Sequence, residues 1–394
     1  MTGRERVAAA MRHEIPDRVP VFCQLSLGHY MLQYHETGGG PAPYEVWFSP
    51  QVFAGALVGL AERYGFDGVL VNLPGRTPDW QAHIVRIERG ASATTLFWDN
   101  GGQSLCPDDD NVHYNSTRSF VAPSIDAVDP SDLFYIEPHC ITEVRHPFAF
   151  DFGPPPVPGA ADYFPPFITD TLDETIRLSA GRFHVSAEVF SPFTQFLELF
   201  GYVEALTGLL TEPQKVERIL ERLAEGTARL GAIYAARGAD AILVSSAFAG
   251  GGFISRDHYR QFVQPCERSV VESLRETTDV PVYVHTCGRI GDRIDLLAQS
   301  GYDGVDTMDP APLGDTDIRK VKREFGDRLF LKGNIDPVNL LLNSTPQGVR
   351  AHSEQLIRAV GAGGGYILSS ACSVAPYAPP ENILQLSRAS KDLA

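Results

Sequence analysis

Apolar positions along this chain recur with two periods that alternate. Between Arg4 and His13, Val7, Met11 and the alanines between them share one side of a short helix, which Pro16 ends. Arg18–Cys23 then reads as a first strand, Pro50–Tyr64 as a helix and Gly68–Asn72 as a strand. Further strands are predicted over Phe183–Phe190, Ala241–Ser245, Val280–His285, Gly304–Thr307 and Leu329–Lys332, and a short apolar run, Tyr366–Leu368, follows a glycine cluster. Helices are predicted in the intervals: Gly201–Leu210, Pro213–Arg237, Ser255–Glu276 with Ser255 as N-cap, Thr345–Val360 stopped by Gly361, and Pro380–Ser390. Alternation of this kind predicts a parallel α/β fold. About eight units fit the length, which favours a (β/α)8 TIM barrel over an open sheet.

The pattern is interrupted over about residues 73–166, where clean periods are few and Asp108-Asp109-Asp110 and Pro154-Pro155-Pro156 occur. This stretch reads as an inserted cap over the barrel mouth within a single domain spanning 1–394. His113, Tyr114, Phe134, Tyr135 and His139 are its polar and aromatic candidates, and packing is the commoner use of such residues. Gly361-Ala-Gly-Gly-Gly lacks a P-loop lysine and reads as a helix stop and turn.

Composition adds little. Apolar content of 43% and charged content of 21% are those of an ordinary soluble protein. A net charge of −16 argues against nucleic acid or an anionic membrane as the main partner. Six cysteines without framework spacing, no apolar signal core and no long apolar run point to a cytoplasmic location.

The candidate chemistry lies at His285 and Cys287, in Val-Tyr-Val-His-Thr-Cys-Gly, and at Cys372, 85 residues after Cys287. H-x-C projects both side chains to one side of an extended segment. One imidazole and two thiolates suit zinc, and three protein ligands leave a position open for chemistry. All three residues fall at predicted C-terminal strand ends, where barrel active sites form. The plain alternative is a small buried hydrophobe at each cysteine. Glu188, near the end of its strand, reads as a carboxylate facing the cavity or as a hydrogen-bonded group of the mouth. Asp336 could serve the site or fix its turn.

Arg4-Glu-Arg, Pro16-Asp-Arg-Val-Pro-Val, Gly238-Ala-Asp-Ala-Ile, Gly333-Asn-Ile-Asp-Pro and Pro379-Pro-Glu-Asn-Ile are similar to blocks of the uroporphyrinogen decarboxylase superfamily. The resemblance covers most of the chain and implies the same (β/α)8 barrel. Within that superfamily the decarboxylases grip porphyrinogen carboxylates with arginines, where this chain has Leu25 and His29. The decarboxylase aspartate after the second strand is matched by Asn72, and its C-terminal histidine by Cys372. The zinc- and cobamide-dependent methyltransferase branch instead resembles the chain at His285, Cys287 and Cys372.

That branch implies Zn2+ and a methyl group exchanged between a small-molecule donor or thiol acceptor and a cobalamin. The chain has no D-x-H-x-x-G segment, so a separate corrinoid protein is the implied partner. Direction of transfer stays open, as does the choice between monomer and homodimer. A related zinc site in cobalamin-independent methionine synthase adds a carboxylate between the H-x-C and the last cysteine. This makes Asp309 the first candidate for a fourth ligand and Asp306 the second. Either acid equally suits a cap on the turn before Pro310. Glu188, Asp309 and Tyr377 are the catalytic candidates, Tyr377 as a residue closing over substrate. The alternative activity is decarboxylation or lyase chemistry on a different substrate.

Overall fold

The computed structural model describes residues 1–35, 41–115, 122–138 and 156–394. Strand β1 (Gly68–Val71) is followed by β2 (Ile84–Arg89), β3 (Ala93–Trp98), β4 (Gln103–Pro107) and β5 (His113–Asn115). Then come β6 (His184–Phe190), β7 (Ala241–Ser245), β8 (Val282–Thr286), β9 (Gly304–Thr307), β10 (Phe330–Ile335) and β11 (Tyr366–Ser370). The seven strands β1-β6-β7-β8-β9-β10-β11 pair in that order, all in parallel. Near-continuous apolar runs suit strands covered on both faces.

The eighth position is filled without a regular strand. Phe22 N–H donates to Leu368 O at 3.0 Å, Leu368 N–H to Pro20 O at 2.9 Å and Asp67 N–H to Val21 O at 2.7 Å. Residues 20–22 therefore bridge β11 to the segment leading into β1 and close the ring. The strand expected over Arg18–Cys23 shrinks to isolated bridges at Val21 and Leu25. Pro20 has no N–H to give, and the Val21 N–H goes to the Asp67 carboxylate at 2.8 Å.

The barrel interior is layered. The first helix, Gly3–Met11, carries a capping box between Thr2 and Glu5 and buries Val7, Ala10 and Met11. These residues cluster with Phe22, Leu70, Leu243, Tyr283, Phe330 and Ile367 as an apolar floor. Gly304 belongs to this layer because a Cβ there would sit 2.5 Å from the Phe330 ring. Two residues further along three adjacent strands, on the same face, come His285, Asp306 and Lys332. Strand register pairs His285 with Asp306 and Asp306 with Lys332. Strand alternation thus turns an apolar floor into a polar row at the mouth.

The helix expected over Ser255–Glu276 is present, and the Ser255 hydroxyl accepts from His258 N–H at 3.1 Å. It is divided by a π-helical turn over Tyr259–Val263 before the helix Gln264–Arg275 begins. Pro265 lacks the N–H that would continue the α-helical ladder, and a wider turn accommodates that gap. On its buried side, Glu267 accepts from the Tyr259 hydroxyl at 2.6 Å. Burial pushes the Glu267 carboxyl up to about 7. The folded state therefore holds a proton that the unfolded chain releases, and stability falls as pH rises from the ordinary carboxyl range through about 7. Glu267→Gln removes that titration. Its stability relative to wild type is expected to rise by about 3 kcal/mol between pH 4 and 8 in urea unfolding. A pH-independent difference would contradict this assignment.

In the insertion, β2–β5 form a four-stranded antiparallel sheet. The sequence hid it because β2 is almost wholly exposed, while β4 buries Ser104 and Cys106 and exposes Leu105. Trp98 of β3 packs on Phe48, which also stacks on Trp80 at 5.3 Å between ring centres. Among the described residues no helix is long and apolar enough to cross a membrane.

Candidate metal centre at the barrel mouth

His285 lies in β8, Cys287 just beyond its end, and Cys372 two residues beyond β11. Gly288 turns the chain away from Cys287 with a φ of 75°, in the left-handed region glycine favours. His285 Nε2 lies 3.2 Å from Cys287 Sγ, and the two sulfurs are 3.6 Å apart. One donor atom from each residue falls within 4.8 Å of the others. Tetrahedral zinc, with bonds of about 2.3 Å to sulfur and about 2.05 Å to nitrogen, sets donor separations of about 3.5–3.8 Å. The sulfur–sulfur separation of 3.6 Å lies in that range, His285 Nε2 and Cys287 Sγ are closer at 3.2 Å, and the donor set itself suits zinc.

Behind the histidine, Asp306 Oδ2 stands 3.5 Å from Nδ1 and 2.9 Å from Lys332 Nζ. Lys332 also lies over the Phe22 ring at 4.7 Å. All three polar groups are buried. A carboxylate at Nδ1 favours the tautomer that leaves Nε2 free for a metal. Burial would raise the Asp306 pKa, but Lys332 and His285 hold it below the ordinary value.

Without metal the trio shares protons. Burial alone would lower the His285 pKa, yet the neighbouring Asp306 carboxylate and Cys372 sulfur push it up to about 10. The Cys372 thiol is held well below its ordinary value by its hydrogen bond with Cys287, against burial, with help from His285. Cys287 moves the other way, raised by that same bond and by burial.

Glu188 lines a cavity of about 390 Å³ shared with His285, Cys287 and Cys372. Burial pushes its carboxyl up to about 6. Asp309 is buried on the loop after β9, where its Oδ2 accepts from Gly288 N–H at 2.6 Å. This bond fixes the turn that follows Cys287. Burial raises the Asp309 pKa to about 6 as well. Asp306 sits behind the imidazole, on the side away from the sulfurs. Tyr377 is 66% exposed and its hydroxyl donates to Asp109, so it stands at the rim. Asp336 caps the π-helical turn Pro337–Leu342, accepting from Val338 and Asn339 N–H.

Leu25 and Asn72 line the cavity, and among the described residues the Asn72 Oδ1 has no hydrogen-bond partner. His29 lies in the core between Pro376 O at 3.0 Å and the Tyr64 hydroxyl at 2.8 Å. From the insertion, Asp109, Asp110, Asn111 and Pro138 reach the cavity wall. Phe134 and Tyr135 instead pack with Tyr163 and Phe164. His113 is exposed, and His139 and the Tyr114 side chain lie outside the described residues. Sequence reasoning missed Lys332 and Glu198. The available signal was a charge inside an apolar strand for Lys332, and none for Glu198.

An α/β barrel with a cysteine-rich, metal-competent trio at its C-terminal strand ends narrows the class considerably. The chain belongs to the uroporphyrinogen decarboxylase (URO-D) family, whose model matches residues 150–393. It is 25% identical over 227 residues to a methylated-thiol–coenzyme M methyltransferase of Methanosarcina mazei, covering 58% of each chain. It is 30% identical over 176 residues to the uroporphyrinogen decarboxylase of Methylococcus capsulatus, covering 44% of this chain and 47% of that one. The chain thus spans about half the length of the curated relatives it matches. A solved methyltransferase from Methanosarcina mazei superposes over 100% of this chain and 99% of its own, with TM-score 0.69 and 19% identity, which shows a shared fold.

Proposed function

We propose that this chain is a zinc-dependent methyltransferase that moves a methyl group between a small-molecule substrate and the cobalamin of a separate corrinoid protein. The convergence of His285, Cys287 and Cys372 within 4.8 Å at the barrel mouth carries this reading. The methyltransferase relative supports it. Decarboxylation of a porphyrinogen is opposed by Leu25 in the cavity wall and by His29 fastened in the core.

When bound, zinc supplies a Lewis acid that lowers the pKa of a thiol or improves a methyl donor's leaving group. His285, Cys287 and Cys372 would hold it, with Asp306 orienting the imidazole. All three residues line the cavity that Glu188 also lines. With its carboxyl near 6, Glu188 can take the proton of an incoming thiol at Oε and return it to solvent. In the thiol-methylating direction, the substrate sulfur forms the C–S bond as the cobalt–carbon bond breaks. The electron pair of that bond stays on cobalt.

The test is methyl transfer from methylcobalamin to thiols by the zinc-loaded protein, followed by cobalamin absorbance. Expected are turnover that a chelator abolishes and zinc restores, and a drop of about 100-fold in Glu188→Gln. Turnover that ignores both chelator and Cys372→Ala would refute the reading.

A further inference from the structure

The cavity beside the cysteines has a one-sided charge. Glu188, Glu198, Asp109 and Asp110 line it with Phe190 and Phe248, and among the described residues no Lys or Arg does so. The buried cation of the barrel interior, Lys332, is paired with Asp306 and does not reach the cavity wall. Two of the acids already have donors at hand. Glu198 accepts from the Tyr202 hydroxyl at 2.9 Å, and Asp109 from Tyr377. A carboxylate has about four lone-pair sites, so each retains accepting capacity. The metal-ligating trio adds no net cation, since two thiolates offset the formal charge of a divalent ion.

An anionic tail in this space would face Glu188, Glu198, Asp109 and Asp110, and like charges brought together in a confined site are strongly unfavourable. A protonated amine would find carboxylate oxygens and two aromatic faces, the combination that holds ammonium groups. A volume of about 390 Å³ is at the small end for ligand sites. It suits a short molecule whose sulfur reaches the trio while its other end meets the acids. Asn72, with an unpartnered Oδ1 on the same wall, offers a further acceptor to such a donor.

We propose that the substrate is a small aminothiol, or its methyl thioether, whose protonated amine is held by Glu198, leaving Glu188 for the thiol proton. Thiols bearing only a sulfonate or carboxylate are then poor substrates. This rests on the methyltransferase reading, because it presumes a sulfur directed at the metal.

Two thiols of one scaffold decide it: 2-mercaptoethylamine and 2-mercaptoethanesulfonate, titrated calorimetrically into the zinc-loaded protein at matched ionic strength. The aminothiol is expected to bind at least about 10-fold more tightly. Glu198→Gln should narrow the gap by weakening the aminothiol alone, with zinc content unchanged. Equal or tighter binding of the sulfonate overturns the proposal and leaves the methyltransferase reading standing. A preference that survives Glu198→Gln would come from the amine chelating the metal, and overturns the assignment too. If neither thiol binds the zinc-loaded protein, the methyltransferase reading falls as well.

Discussion

Cys372→Ala is expected to purify without stoichiometric zinc and to lose methyl transfer altogether. The sulfur lies 3.6 Å from that of Cys287 and belongs to the trio whose donor atoms fall within 4.8 Å of one another. Losing an outer-shell partner of a metal ligand typically weakens binding by about 10–100-fold, so losing a ligand itself should exceed about 100-fold. The fold should survive, because Cys372 lies on a loop beyond β11 and is not part of the hydrophobic core. Comparison of metal-free forms, which removes the stabilisation bound metal gives by mass action, should show a difference within about 1 kcal/mol. Zinc competition with a chromogenic chelator and thermal melts of the apo proteins read the two quantities separately. A mutant that keeps one tightly bound zinc would place the metal elsewhere.

The second large effect concerns the row behind the histidine. Lys332→Met should destabilise the protein by about 3–5 kcal/mol, the usual cost of stranding one member of a buried pair. Asp306 would then keep its charge in the barrel interior without the Lys332 ammonium, now 2.9 Å away. Asp306→Asn removes that charge and with it the carboxylate facing His285 Nδ1 at 3.5 Å. Its zinc affinity should fall by about 10–100-fold. The double variant is the informative one. It should recover much of the stability lost in Lys332→Met, yet keep the weakened zinc binding of Asp306→Asn. Urea unfolding of all four proteins gives the coupling energy. A value below about 0.5 kcal/mol would mean that the pair does not act as a unit.

The barrel and the metal trio were both legible in the residues, for different reasons. Strands such as Ala241–Ser245 are short apolar runs covered on both sides, and long amphipathic helices such as Pro213–Ala236 separate them. H-x-C put His285 and Cys287 on one side of a strand, and the resemblance to the methyltransferase branch pointed to Cys372 as the third. What failed locally had local causes. Residues 18–23 look like a strand, but Pro20 and the Asp67 carboxylate divert their hydrogen bonds. The sheet of the insertion gave almost no signal because β2 is exposed and unpatterned.

At the site, resemblance ranked Asp309 before Asp306 as a fourth ligand, and strand position offered Glu188, without showing what each carboxylate touches. Only strand register shows Asp306 between His285 and Lys332. Likewise, only the fold shows Asp309 bonded to Gly288 and Tyr377 out at the rim. Glu198 comes to the cavity from the helix Pro192–Phe200, 87 residues before His285, a pairing no local pattern announces.

The central claim is that His285, Cys287 and Cys372 bind zinc with a position open toward the cavity. X-ray absorption at the zinc edge of the purified full chain tests it most directly. The account predicts near-stoichiometric zinc with two sulfur scatterers at about 2.3 Å and nitrogen or oxygen neighbours at about 2.0–2.2 Å. Added 2-mercaptoethylamine should bring a third sulfur to the metal. A folded protein without zinc, or zinc surrounded by nitrogen and oxygen alone, would contradict it.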